Sequence, residues 1–156
     1  MENKKEIYWH LPGLCSLRYL NIVLLGLMKQ YPDKFRDGYK IASVYGTFPG
    51  AIWNGGRSVF GNISETDVEK IIKAYNDHGV PVRFTWTNSL LEEKHVDDAF
   101  CNKVMQIANN GWNQVLVNRD CLENHIRQNY PEYPIISSTT KRMTDLQGIK
   151  EELEKE

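Results

Sequence analysis

The fold is decided by residues 113–138, which have the sequence NQVLVNRDCLENHIRQNYPEYPIISS. The short β-rich run Gln114–Val117 is followed by a helical segment at 120–130 and by a second extended run at 134–138. Pro131 ends the helix, because proline cannot continue it. Connections this short predict two parallel strands that are joined by a right-handed crossover.

The same alternation extends through the rest of the chain. Ser64, with Asp67 three residues later, predicts the N-cap of the second helix. Five strand-then-helix units in series predict an α/β fold with a parallel sheet. The remaining strands are predicted at 7–11, 39–45 and 80–87, and the remaining helices at 16–31, 64–78, 97–110 and 145–156.

Two architectures fit five such units, a partial (half) TIM barrel and a five-stranded flavodoxin-like open sheet. A complete barrel needs about 250 residues, whereas this chain has 156. Length alone therefore favours the open sheet. In either case we expect residues 1–156 to form a single α/β domain, and the barrel alternative predicts that this domain is incomplete at the C-terminus.

Composition excludes several classes of protein. The formal net charge is −1 and no run is rich in lysine or arginine, which argues against binding to nucleic acid. The longest apolar run, residues 22–28, is far shorter than the roughly 20 residues of a membrane span. Three cysteines form no C-x-x-C pair, as is typical of reduced thiols. We therefore expect a cytoplasmic protein without a nucleic-acid or membrane partner.

Polar and aromatic side chains gather where the predicted strands end. Ligands of parallel α/β folds bind at the carboxyl ends of the strands, where aromatic faces and amides suit a polar organic ligand. The alternative is that strand–helix loops are polar in any such fold. The candidate substrate-binding residues are Trp9, Tyr45, Trp53, Asn54, Arg57, Trp86, Asn88, Asn118, Ser138 and Lys141.

The most specific local signal is the segment WNGGR, residues 53–57. Paired glycines allow backbone N–H groups to approach a ligand, and Arg57 has the geometry to hold a carboxylate or phosphate through two hydrogen bonds. The segment lacks the pattern of a phosphate-binding loop. An ordinary Gly-Gly turn explains it equally well.

Two residues are candidates for catalysis. His10 is the best general base, because it lies near the end of the first strand; a histidine hydrogen-bonded into the barrel mouth is the alternative. Asp120 suits an acid or a ligand contact, although aspartate at a helix start is also the ordinary N-cap. No histidine, cysteine and carboxylate spacing fits a metal, and we expect neither a metal nor another cofactor.

The segments HGVPVRFTWTNSLL (78–91) and NQVLVNRDCLENHIRQNYPEYPIISSTTKRMTD (113–145) resemble the N-terminal barrel half of the peptidase U32 family. The matching strand ends are Asn88-Ser89-Leu90, Asp120 and Ser138-Thr139, and the resemblance covers residues 64 to 150. It implies a TIM-like barrel that acts on a polar organic substrate, with hydrolysis of a peptide-like bond as the family-level activity. Relatives carry a cysteine-rich iron–sulfur site beyond this region, and this chain has no such cluster. A non-catalytic saccharide- or peptide-binding module is the alternative.

A half barrel would leave its first and fifth strands, residues 7–11 and 134–138, without neighbours. Unpaired parallel edges promote association. We also expect interior side chains such as Ile41, Ser43, Phe84 and Val115 to be open on the concave side. The predicted partners are therefore a small polar or peptide-like ligand and either a second copy of the chain or a missing C-terminal barrel half.

Overall fold

A computed structural model describes residues 6–56 and 59–155. Strands and helices alternate along the chain, as the sequence predicts. Among these residues, no helix has the length and apolar character that crossing a bilayer requires. The elements are β1 (Ile7–Pro12), α1 (Arg18–Gln30), β2 (Tyr39–Gly46), α2 (Glu65–Asp77), β3 (Val82–Trp86), α3 (Ala99–Ala108), β4 (Gln114–Val117), α4 (Asp120–Asn129), β5 (Ile135–Ser137) and α5 (Leu146–Leu153).

The five strands form one parallel sheet in the order β1-β2-β3-β4-β5. The predicted α/β fold with five strand–helix units is thus confirmed, and the sheet curls into half a barrel. A flavodoxin-like sheet has the order 2-1-3-4-5, in which the first strand lies inside the sheet. The sequential order found here is that of the partial barrel. It leaves β1 and β5 at the two edges.

The four helices that connect successive strands, α1 to α4, lie on the convex side of the sheet, because right-handed crossovers between sequential neighbours place them on the same face. β3 shows how the core forms. Val82, Phe84 and Trp86 are fully buried, and the Trp86 indole donates a hydrogen bond to the sulfur of Met105 on α3 at 3.2 Å. The Phe84 ring stacks on Trp86 at 5.2 Å. The apolar face of β3 therefore packs against the helices.

The prediction that Phe84 and Val115 face the concave interior is wrong. Val115 is the register partner of Phe84, so both belong to the face that the helices cover, and both are fully buried. Side chains alternate between the two faces of a strand, so the concave face receives the residues between them. In β3 these are Arg83 and Thr85. The part of the concave face that β3 forms is consequently polar, whereas Leu116, the register partner of Thr85, is apolar.

Asn113 connects three elements just before β4. Its side-chain oxygen accepts hydrogen bonds from the backbone N–H of Val82 at 2.9 Å and from Asn76 of α2 at 3.0 Å. Its amide nitrogen donates to the carbonyl oxygen of Ala108, the last residue of α3, at 2.9 Å. Because Asn113 is fully buried, these bonds fix the spacing of α2, α3 and β3 where water cannot substitute.

The two predicted helix caps have different outcomes. Ser64 is the N-cap of α2, and its hydroxyl accepts a hydrogen bond from the backbone N–H of Asp67 at 3.1 Å, as predicted. At α4 the N-cap is Arg119, without a side-chain cap hydrogen bond, and Asp120 is the first helical residue. The acidic side chain of Asp120 therefore lies in the first turn, where it interacts favourably with the helix dipole rather than capping the helix.

Candidate functional site

A cavity of about 440 Å³ opens at the carboxyl ends of β1, β2 and β3. We call it the β1–β3 cavity. It lies where ligands bind in parallel α/β folds. Its wall consists of the loop that follows β1, the end of β2, residues 54, 56 and 59 of the next loop, and Thr85 of β3. The lining residues in the described part of the chain are Pro12, Gly13, Leu14, Cys15, Ser16, Leu17, Tyr45, Gly46, Thr47, Asn54, Gly56, Val59 and Thr85.

Thr47, the residue directly after β2, lies in the wall of this cavity with an unsatisfied hydroxyl. The residue is only 3% exposed, and its Oγ1 has no hydrogen-bond partner. A buried polar group without a partner costs about 1–3 kcal/mol. Native structures contain few such groups, so this hydroxyl becomes a candidate partner for a ligand once rotation of the Thr47 side chain turns it toward the cavity.

The start of α1 forms the opposite wall of the β1–β3 cavity. Gly13 has a φ of +81°, and a Cβ there would lie 2.6 Å from the side chain of Leu17, so this turn requires glycine. Leu17 is the N-cap of α1, gives no side-chain cap hydrogen bond, and is followed by a first turn without acidic residues. The positive end of the helix dipole is therefore not compensated by its own side chains, which favours hydrogen-bond acceptors in the cavity.

The described part of the WNGGR segment, residues 53–56, is held against the end of β3 by its own backbone. A Cβ on Gly55 would lie 1.9 Å from the carbonyl oxygen of Thr87, so the chain can pass here only as glycine. The Asn54 side-chain oxygen accepts hydrogen bonds from the Thr85 hydroxyl at 3.0 Å and from the backbone N–H of Gly56 at 3.1 Å. Gly55 thus serves close packing, and Asn54 shapes the cavity wall.

Polar residues cover the concave face beside this cavity. The Ser43 hydroxyl forms a hydrogen bond with Nδ1 of His10 at 2.8 Å, and Arg83 donates from Nε to the side-chain oxygen of Gln114 at 2.8 Å. Tyr45, the register partner of Arg83, lines the cavity itself. Tyr45 therefore connects the wall of the β1–β3 cavity with the neighbouring residue Arg83 of the concave face.

His10 is held in its neutral form by this environment. Burial, and then the positive charge of Arg83, lower the pKa of His10 below its ordinary value of 6.5. Ser43 is fully buried, so its hydroxyl orients the imidazole but does not reach solvent. In the tautomer whose Nδ1–H donates to the Ser43 hydroxyl oxygen, Nε2 is unprotonated and can accept a proton.

The predicted residues divide into separate groups, and the first group is at the β1–β3 cavity. Tyr45 and Asn54 line it. Trp53 and Trp86 are fully buried behind it, with ring centroids 5.7 Å apart in an edge-to-face arrangement, and the Trp53 indole donates to the His95 carbonyl oxygen at 2.8 Å.

Three predicted residues remain, and the two that the structure describes, Asn88 and Trp9, do not line the cavity. The Asn88 amide donates to the Ile52 carbonyl oxygen at 2.8 Å and holds the loop. Trp9 lies in the middle of β1, which continues to Pro12. The centroid of its ring is 6.2 Å from the centroid of the Tyr39 ring. Strand alternation places Trp9 on the face opposite to His10. The third, Arg57, lies outside the described residues, so neither its position nor its contacts are assigned.

A second group gathers at the carboxyl ends of β4 and β5, around another cavity of about 320 Å³. Asn118, Asp120 and Lys141 line this β4–β5 cavity, and the side-chain oxygen of Asn118 is buried without a hydrogen-bond partner. Ser138 is buried beside it and caps a short 3-10 turn by accepting from the Thr140 N–H at 3.2 Å. The two predicted catalytic residues, His10 and Asp120, therefore belong to different groups.

Lys141 lies at the centre of a buried ion-pair cluster. Its ammonium donates to Glu123 of α4 at 2.9 Å and to Glu152 of α5, and the three side chains are 7–10% exposed. Glu123 also pairs with Arg127 at 2.9 Å, and Glu152 with Lys155 at 3.0 Å. Burial alone would raise the pKa of Glu152, but its hydrogen bonds with Lys141 and Lys155 and the positive charge of Lys141 together outweigh burial and lower the pKa to about 2. Lys141 thus joins α5 to α4.

Sequence reasoning missed four residues of the site: Thr47, Ser43, Arg83 and Gln114. For Arg83 a signal existed, since VRFTW alternates apolar and polar residues and so assigns Arg83 to the face away from the core. The sequence gives no such signal for Thr47, because the lack of a hydrogen-bond partner for its hydroxyl is visible only in the folded structure.

Comparison with known proteins does not identify the class. No family model matches the chain, and neither the curated proteins nor the solved structures include a match. Among the residues that the structure describes, no group of histidine, cysteine and carboxylate side chains could hold a metal ion. The resemblance to the U32 family stays a prediction from the sequence.

Proposed function

We propose that the chain holds the substrate site of a U32-like barrel enzyme, which binds a polar, peptide-like molecule in the β1–β3 cavity and hydrolyses it. The observation that supports this best is the Thr47 hydroxyl, which is buried without a partner in the cavity wall. A ligand amide or carbonyl that bonds this hydroxyl would remove the cost of leaving it unsatisfied. The uncompensated start of α1 favours the same acceptor-rich ligand.

In this proposal His10 is the general base. Its neutral imidazole takes a proton from the attacking water and returns it to the leaving amine, so the proton is conserved over the reaction. Pro12 lines the cavity two residues after His10, and a strand rise of about 3.3 Å per residue puts the two Cα atoms about 7 Å apart. Asp120 lies with the other group and has no step in this mechanism.

The second candidate function is a non-catalytic saccharide- or peptide-binding module. One observation favours it: within the described residues, no aspartate or glutamate lines the β1–β3 cavity. A binding module needs only the cavity and its polar wall, whereas hydrolysis also needs His10. The His10→Gln substitution therefore separates the two functions. It should abolish hydrolysis of a mixed set of N-acetylated dipeptides, measured as released amine, and leave binding of those peptides within twofold if the chain is an enzyme.

Ligand binding itself is tested with Thr47→Val, which keeps the shape of the side chain and removes the hydroxyl. We expect the neutral amide N-acetylglycinamide to shift the NMR signals of Thr47 and Asn54 in the natural chain. The variant should bind roughly tenfold more weakly, although its melting temperature should not fall, because a buried unsatisfied group is removed. Thr139→Val, an exposed threonine, is the matched control. Equal binding by Thr47→Val would contradict the proposal.

The partners and location extend this proposal. The free edges of β1 and β5 would pair with a second copy or with the remaining half of a barrel, because edge strands present unpaired N–H and C=O groups. Residues Cys15, Cys101 and Cys121 are all free thiols, which supports a reducing, cytoplasmic location.

A further inference from the structure

We infer that the ligand of the concave face is a small organic anion, whose carboxylate or phosphate group binds Arg83 beside His10. This inference rests on the proposed function, because it names the chemical class of the molecule that enters the β1–β3 cavity. Arg83, which sequence reasoning did not select, becomes the anion-binding residue.

Arg83 is a partly buried cation without a carboxylate partner. Within the described residues, its recorded side-chain hydrogen bond is the one to the neutral Gln114 amide at 2.8 Å, and no aspartate or glutamate lies within ion-pair distance. Burial lowers the pKa of Arg83, although an arginine remains charged at every physiological pH. Buried charges in proteins are normally paired, so a partly buried guanidinium without a carboxylate partner among the described residues is suited to binding an external anion.

The other charged groups of the concave face do not supply that anion. Glu6 is the carboxylate at the amino end of β1, and it already pairs with Lys40 and accepts a hydrogen bond from Tyr8. His10, on the same face, has a lowered pKa and is neutral. Among the described residues, Arg83 is therefore the cation at the centre of the concave face that lacks an opposite charge.

The position of Arg83 suits a ligand that also reaches Thr47. Tyr45 is the register partner of Arg83 and lines the cavity, and Thr85, two residues after Arg83 on the same face of β3, lines it too. A molecule of a few heavy atoms would place its anionic end on Arg83 and its neutral polar end against the Thr47 hydroxyl. Guanidinium binds planar carboxylates and phosphates through two parallel hydrogen bonds, which is the recognition expected here.

The test compares N-acetylglycine with its neutral amide, N-acetylglycinamide, by NMR titration of the Arg83 Nε–H and Thr47 signals. We expect the acid to bind roughly ten- to hundredfold more tightly than the amide. Arg83→Gln should remove this preference, and Arg83→Lys should retain part of it because the charge remains. Arg36→Gln, which removes a positive charge from an exposed position, is the control and should change nothing.

Gln114→Glu tests the same inference without removing the arginine. It places a carboxylate where an amide oxygen already accepts from Arg83 Nε at 2.8 Å, so the ion pair should form internally and the preference for the acid should disappear while the melting temperature is kept. Acetate and inorganic phosphate are then added as competitors. Displacement of N-acetylglycine by acetate indicates a carboxylate ligand, and displacement by phosphate indicates a phosphate ligand.

The outcomes separate this inference from the proposed function. If the neutral amide shifts Thr47 but no anion shifts Arg83, or if Gln114→Glu leaves binding of the acid unchanged, the anion site is refuted and the proposed function stands. If neither compound shifts Thr47, the proposed function fails. Shifts at both residues, with loss of the preference in Gln114→Glu, support the anion site.

Discussion

Replacing Lys141 by methionine tests whether this residue stabilises the fold or serves a ligand. Methionine matches the length of the side chain but leaves the carboxylates of Glu123 and Glu152, each at most 10% exposed, without their shared ammonium. Removing one partner of a buried ion pair costs about 3–5 kcal/mol. Each carboxylate keeps a second cation, Arg127 at 2.9 Å or Lys155 at 3.0 Å. We therefore expect the free energy of unfolding to fall by an amount at the lower end of this range, about 3 kcal/mol.

The assay is urea unfolding followed by circular dichroism, which gives the free energy of unfolding from the midpoint and slope. For a chain of this size, a loss of about 3 kcal/mol corresponds to about 6–12 °C in melting temperature. Lys73→Met is the matched control, because Lys73 pairs with one carboxylate, Asp77, at 2.7 Å but is 70% exposed. An exposed pair of this kind contributes about 0.5 kcal/mol or less.

The pH dependence gives the same test a second readout. The pKa of Glu152 is lowered from 4.5 to about 2 in the folded chain, so its stabilising contribution is complete above about pH 4.5 and is lost as the pH falls toward 2. The difference in stability between the natural chain and Lys141→Met should therefore be largest at neutral pH and shrink over this interval. A loss below 1 kcal/mol at pH 7, or a difference that does not change with pH, would refute the reasoning.

Three further results are expected. The pKa of His10, measured by NMR titration of its ring proton, should lie below 6.5 and rise in Arg83→Gln, because a neighbouring positive charge is removed; no rise would mean that the two side chains do not interact. Asn113→Leu should cost about 2–4 kcal/mol in urea unfolding, since it strands a buried N–H and a buried carbonyl group; a cost under 1 kcal/mol would contradict that network. Light scattering should show self-association that Leu20→Lys and Leu27→Lys reduce, because α1 exposes both side chains; a natural chain that is monomeric would contradict this.

The fold was predictable because its signals are local. Apolar periodicity, the Ser64 cap and proline stops define each element, and β4 is found at the predicted residues Gln114–Val117. It was harder to predict which face of the sheet each strand side chain lies on. Phe84 and Val115 were assigned to the concave side because a barrel interior is usually apolar. In the structure these apolar side chains pack against the helices, and Arg83 lies on the concave face.

The candidate site was predictable only as a region. Strand ends do gather polar side chains, but the sequence does not indicate which indoles enter the core. The buried Trp53 indole donates a hydrogen bond to the His95 carbonyl oxygen, 42 positions away in the sequence. The buried Trp86 indole donates to the sulfur of Met105 on α3. Neither long-range contact can be read from the local sequence. The separation of His10 from Asp120 likewise depends on which strands are neighbours in the sheet.

The sequential strand order has a consequence for synthesis on the ribosome. Each strand pairs with the one that was made before it, so the sheet can grow at one edge as the chain emerges. The β1–β3 cavity is lined by residues between Pro12 and Thr85 and is complete once β3 has left the exit tunnel. Gln114, which orients Arg83, and the Lys141 cluster come later. A nascent chain would thus contain every lining residue of the β1–β3 cavity before its last two strands are made, and translation itself would separate synthesis of the cavity from final stabilisation.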